Sequence, residues 1–246
     1  MLWGAECAGL HLPALPGPAS KAVKGPWAWL DAEHHMHMQR WLSDHGLSLS
    51  FAALFVVCLV GQSISGHVNY NSELAMHGQP AIGYANYLAT GNFLDGVFTN
   101  WQAALLQLGC LIVFAVKFRE KGAAHSLSTA TQARKPRREE DKSSPWIYRH
   151  SLSLAFAALF GLSFIAHLFF GAMDRNARLQ WLHRPPMSVG SYSLSSAFWF
   201  TTTQTWEAEF SAIAIYVVLS IFLRQQGSPE SKPVESSNEV TGETNH

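Results

Sequence analysis

Apolar and charged positions are segregated along this chain rather than interleaved. Residues 47–66, 96–116, 152–173 and 210–223 hold no Lys, Arg, Asp or Glu, in runs of 20, 21, 22 and 14 residues. A hydrocarbon core about 30 Å thick takes about 20 apolar residues of helix. Segments 47–66 and 152–173 meet that length alone. Segment 96–116 is long enough and also carries Asn100, Gln102 and Gln107. Segment 210–223 reaches spanning length only by running back to Phe198 through Glu207 and Glu209. The pattern predicts an all-α integral membrane four-helix bundle.

The stretch from Trp41 to Phe55, WLSDHGLSLSFAALF, returns from Trp146 to Phe160 as WIYRHSLSLAFAALF, an offset of 105 residues. The register holds without a gap at Gly66/Gly171, Asn71/Asn176, Pro80/Pro185, Tyr87/Tyr192, Trp101/Trp206, Arg119/Arg224 and Gly122/Gly227. Loop Asn, Pro and Tyr keep the same spacing as the apolar positions, which chance similarity between hydrophobic helices does not produce. Each copy reads as a helix, a loop and a second helix. Two crossings return the chain to its starting side, so the copies are expected to insert in parallel, as two tandem helical hairpins.

Charge gives the expected orientation. Lys and Arg number nine between residues 117 and 149 and none between 67 and 95. The positive-inside rule then puts the middle loop and both termini in the cytoplasm. The expected organisation is a disordered extension at 1–40, copies at 41–122 and 146–227, a disordered cytoplasmic linker at 123–145 and a disordered tail at 228–246. Composition narrows the function classes further. Charged residues make up 14% of the chain, with 17 basic against 17 acidic, where a soluble domain has about 25%. There is no basic excess to suit nucleic acid, and the three cysteines, Cys7, Cys58 and Cys110, have no CxxC spacing.

The set Gly46-Leu-Ser-Leu, Gly61-Gln-Ser, Asn69-Tyr-Asn, His77-Gly-Gln-Pro, Trp206-Glu-Ala-Glu-Phe and Phe222-Leu-Arg-Gln-Gln-Gly-Ser-Pro-Glu-Ser-Lys resembles a family of small bacterial membrane proteins classed as a domain of unknown function. The resemblance covers residues 41–232. The family pattern opens the second helix of each copy with Trp-Glu-x-Glu-Phe. This chain keeps it at Trp206–Phe210 and has Trp101-Gln-Ala-Ala-Leu in the first copy. The resemblance brings no activity, cofactor or substrate.

Chemistry must therefore be read from intramembrane polar groups, which are costly in lipid and mark functional or paired positions. His167 is the one histidine within an apolar run. With Glu207, Glu209, Gln62, Gln102 and Gln107 it forms the candidate polar site, where a His–Glu pair could move protons. No catalytic constellation is complete: Ser163 and His167 share one helix, and nothing marks an oxyanion hole. The expected function is a non-enzymatic, structural or partner-binding protein of the bacterial inner membrane; the alternative is a small transporter or ion- or proton-conducting protein. No cofactor or metal is expected. The expected partners are the lipid bilayer and a second copy or another membrane protein.

Overall fold

The computed structural model describes residues 40–126 and 144–242. Its main elements are α1 (Gly46–Met76), α2 (Tyr84–Leu88), α3 (Gly91–Lys117), α4 (Trp146–Arg149), α5 (Ser151–Trp181), α6 (Val189–Ser193) and α7 (Ser196–Phe222). There is no strand among the described residues. α1, α3, α5 and α7 are long and apolar enough to cross a membrane. The protein is all-α with four candidate spans. The extension at 1–39 and most of the linker, 127–143, lie outside the described residues.

The chain divides into two compact units, residues 1–59 and 60–246. In the first, the Trp41 and His45 rings stack with centroids 4.9 Å apart, and His45 Nδ1 donates to the Trp41 carbonyl at 2.8 Å. In the second, Trp146 and His150 do the same at 4.7 and 2.9 Å.

Both 31-residue helices, α1 and α5, outrun their apolar runs. Each stops four residues before a proline, Pro80 or Pro185, which cannot continue a helix. The turns that follow need a left-handed residue. Gly78 supplies it with φ 68°, and His183, 105 residues on, takes φ 54° despite its side chain. Asn71 then grips the loop by both amide atoms. It accepts from Ile82 N at 2.9 Å and donates to Ile82 O at 3.0 Å. Asn176 holds Met187 in the same way, at the same two distances. Hydroxyl caps begin the returning helices. Thr90 accepts from Phe93 N and Ser195 from Phe198 N, each at 3.3 Å. Helix bounds, turns and caps thus recur 105 residues apart.

The buried apolar residues gather at the loop end. One cluster is Tyr70, Leu74 and Tyr87, with Phe93 and Trp181 packed against it; the other is Ala172, Tyr192 and Phe198, with Phe164 and Met187. Below them, α3 packs most extensively on α5 and less on α7. A Cβ on Gly91 would come within 2.4 Å of Asp174 N, while one on Gly109 would lie 3.5 Å from Phe156 Cβ. The two helices therefore run antiparallel over 18 residues, about 27 Å of helix, close to the thickness of a bilayer core.

At the opposite end, residues 228–242 turn back on the chain that follows α3. The Lys232 ammonium is buried and donates to the carbonyls of Ser237, Asn238 and Val240 at 3.4, 3.3 and 3.0 Å. Gly122 N donates to Thr241 Oγ1 at 3.0 Å, and Gly242 N to Ala123 O at 3.0 Å. The tail is polar, but its polar groups are spent on a chain fold-back that a hydropathy profile does not register. Burial and the neighbouring Arg224 charge push the Lys232 ammonium below the ordinary lysine value.

Candidate functional site

α3, α5 and α7 converge on one imidazole. His167, in the α5 apolar run, has no exposed surface. α3 meets its Nδ1 with Asp95 Oδ1 and Thr99 Oγ1, both at 2.7 Å. α7 meets Nε2 with Thr202 Oγ1 at 3.0 Å. The Phe198 ring stacks on the imidazole with centroids 5.0 Å apart. Asp95, Thr99 and the neighbouring Gln102 fall on one face of α3 because residues three and four apart align on a helix.

The partner set accepts two states of the ring that differ by one proton. A carboxylate only accepts, so Nδ1 donates to Asp95 while that group is ionised. Thr202 has one hydrogen, and two acceptors compete for it: the Phe198 carbonyl at 2.8 Å and Nε2. If Thr202 donates to Phe198, Nε2 must itself carry a proton and donate, so the ring is an imidazolium paired with Asp95. If Thr202 turns to Nε2, the ring is neutral. One hydroxyl rotation accompanies one proton.

Charged and hydroxyl groups continue from this site toward the loop end. Asp174, one turn before Arg178 on α5, accepts from Arg178 Nε at 2.8 Å, and Arg178 also pairs with Glu73 of α1. Tyr192 of α6 lies over Asp95, since a Cβ added to Gly171 would sit 2.7 Å from its hydroxyl and 2.9 Å from Asp95 Oδ1. Burial, followed by the carboxylates of Asp95 and Asp174, pushes the Tyr192 phenol up to about 12. Burial raises Tyr87 as well. Toward the other end, Gln102 is fully buried. It donates to Thr99 O at 3.1 Å and accepts from Trp206 Nε1 at 2.7 Å. Beyond Gln107, between α3 and α7, lies a cavity of about 280 Å³ whose lining includes Cys110, Phe114, His125, Phe210 and Tyr216.

The six residues singled out from sequence do not form one cluster. His167 and Gln102 are adjacent levels of the same interface. Gln107 reaches α7 but donates to the Glu209 backbone carbonyl, at 3.1 Å, rather than to a carboxylate. Glu209 is half-buried and Glu207 is exposed. No hydrogen bond joins either carboxylate to His167 among the described residues; the partner is Asp95. Gln62 is half-buried with its amide against Gly96, 3.0 Å from where a Cβ would stand. Sequence reasoning passed over Asp95, Thr99 and Thr202. Asp95 borders the uncharged run 96–116 and so falls outside it; threonines leave no mark on a charge count. Only the spacing of Asp95 and Thr99, four apart and facing one way, offered a signal.

Residues 38–243 match the model of a family described as Domain of unknown function (DUF6766). No curated protein and no solved structure matches.

Proposed function

From the premise that the chain belongs to this family of unknown function, we propose that it is a non-enzymatic, proton-conducting protein of the bacterial inner membrane, built from two tandem helical hairpins with both termini in the cytoplasm. One observation carries the reading: a fully buried imidazole bridging Asp95, Thr99 and Thr202 at the meeting of three candidate spans. Ionisable groups are held at such depth where they serve a pathway or a pair. Here the pair is one whose hydrogen bonds fit both protonation states. Conduction starts with Asp95 protonated from the Asp174 side and hydrogen on Nε2 alone. Asp95 passes its proton to Nδ1 as Nε2 releases its own toward Thr202. This leaves the neutral ring with hydrogen on Nδ1, and reorientation of the ring returns a bare nitrogen to Asp95. The tandem reading is supported by helix bounds, loop staples and caps that recur at the same offset, and the orientation by the nine-to-none Lys/Arg contrast.

The test is proton flux into vesicles containing the purified protein, driven by a potassium diffusion potential and read by an enclosed pH dye. Flux above that of protein-free vesicles, lost in His167→Gln, supports the reading; wild-type flux equal to that of empty vesicles overturns it. Orientation is tested separately. A reporter active only in the cytoplasm should work when fused at Ala130 and fail at Gly78.

A second reading, a structural or partner-binding role, is favoured by a different observation. Glu207 stands exposed two residues from the midpoint of α7, about 3 Å along the axis. A carboxylate facing lipid there is unfavourable, so that face suits a protein neighbour.

A further inference from the structure

The exposed face of α7 is polar where a lipid-facing helix should be apolar. Thr203, Gln204, Glu207 and Ser211 are all exposed and, at spacings of three and four, lie along one side of the helix. Their counterparts 105 residues earlier, Phe98, Thr99, Gln102 and Leu106, belong to α3, which packs its length against α5. The same surface of the fold is therefore covered on one helix and bare on the other. We propose that the bare face of α7 is the docking surface for α1 of a second copy of this chain, in a head-to-tail contact that repeats the α3–α5 interface.

The 105-residue register specifies this contact whether or not the protein conducts protons. What fits α3 is α5, and α5 corresponds to α1. Equivalent positions can thus be read off the contact already present. His167 against Thr99, at 2.7 Å, becomes Gln62 against Gln204. Each carries an amide with both a donor and an acceptor, and neither side chain makes a hydrogen bond among the described residues. Phe98 against Phe170, stacked at 5.5 Å and 16°, becomes Thr203 against Ser65. Large faces large in one contact and small faces small in the other, so the change in volume is matched on both sides. The bond from Trp206 Nε1 to Gln102 Oε1, at 2.7 Å, becomes a Trp101 indole and a Glu207 carboxylate. That gives the exposed carboxylate a donor within the bilayer.

One substitution departs from the pattern and shapes the contact. Gly91, which lets α3 approach the α5 backbone, becomes Ser196. A Cβ at Gly91 would meet Asp174 N at 2.4 Å and Phe170 O at 2.7 Å. The second contact must therefore open at the loop end while closing at Gln204, two turns further along. A contact that joins different surfaces of its two partners is heterologous, and it closes into a ring or runs on as a row.

Disulfide trapping in native membranes tests this. Cys7, Cys58 and Cys110 are replaced by Ser. One chain then carries Gln62→Cys and a differently tagged chain carries Gln204→Cys; a second pair is Ser65→Cys with Thr203→Cys. Mild oxidation of co-expressed partners should give a reducible species at twice the monomer mass containing both tags, absent when either cysteine is missing. Labelling with a membrane-permeant maleimide confirms that each chain is inserted with its thiol reduced. Inserted, reactive chains that give no mixed dimer in either pair would overturn the proposal. So would Gln204→Cys chains linking to one another, which would place α7 against α7. Closure within a single chain carrying both cysteines would place α1 there already and equally overturn it.

Discussion

Removing the His167 ring should cost far more than its hydrogen bonds alone suggest, because Asp95 would lose the partner that compensates its burial. The His167 side chain is 0% exposed and that of Asp95 is 19% exposed. His167→Ala removes a ring stacked on Phe198, leaves a void between three helices and strands a carboxylate. Aromatic-to-alanine truncations in cores cost about 3–5 kcal/mol, and breaking a buried ion pair from one side costs about the same. The two overlap here, since water reaching Asp95 from the loop end offsets part of the second. About 3–5 kcal/mol is expected for His167→Ala. Asp95→Ala leaves a ring that can turn neutral, so only the cost of an unsatisfied buried nitrogen is expected, about 1–3 kcal/mol. The double variant should cost less than the sum by about 1–2 kcal/mol, a coupling at the upper end of those measured within membranes. Reversible unfolding in mixed micelles of the wild type, both single variants and the double variant measures that coupling. Additivity within about 0.5 kcal/mol would show the residues to be energetically independent and would refute the pairing.

Three further outcomes follow from other parts of the fold. Gly91→Ala should destabilise by about 1–3 kcal/mol or more, and more than Gly171→Ala, because its new Cβ meets backbone while that of Gly171 meets the tips of Tyr192 and Asp95; melting in detergent ranks the two. The Tyr192 phenol is pushed up to about 12 in the fold against 10.0 for a free tyrosine. Its contribution to stability is therefore complete below pH 10 and lost as pH climbs toward 12, so Tyr192→Phe should flatten the alkaline fall in melting temperature. An unchanged slope would contradict the burial assigned to it. Lys232→Met keeps the aliphatic stem and removes the donors to three carbonyls. Limited proteolysis should then cut residues 228–242 many times faster while the helix bundle melts as before.

The architecture was legible because charge exclusion over 20 residues has few physical explanations. All four uncharged runs fall on long helices, and α1 and α5 merely continue beyond them, ten and eight residues past Gly66 and Met173. The continuation was hidden because Asn71, Asn176, Asp174 and Arg178 look like loop residues by hydropathy. They are in fact the loop staples and ion-pair partners that a helix end presents. The site was half legible. An imidazole within an apolar run stands out, but its partners were sought by depth and charge, which led to Glu207 and Glu209. Depth without rotation about the helix axis is an incomplete coordinate. Residues 207 and 209 diverge by about 200°, and the one that turns inward, Glu209, lies seven residues, about 10 Å, beyond Thr202, the α7 residue that touches His167. Which side of α3 faces α5 is decided by the close approach at Gly91, and a lone glycine beside Thr90 carries no such message in sequence.

Proton conduction through this bundle requires that His167 take up and release a proton. Nitrogen-15 resonances of the imidazole in bilayer-reconstituted protein report that directly, because each ring nitrogen signals whether it carries hydrogen. The expected result is two forms exchanged by bulk pH: one with both nitrogens protonated beside Asp95, the other with Nε2 bare and receiving from Thr202. A single form of the His167 ring at every pH at which the protein stays folded would contradict the claim.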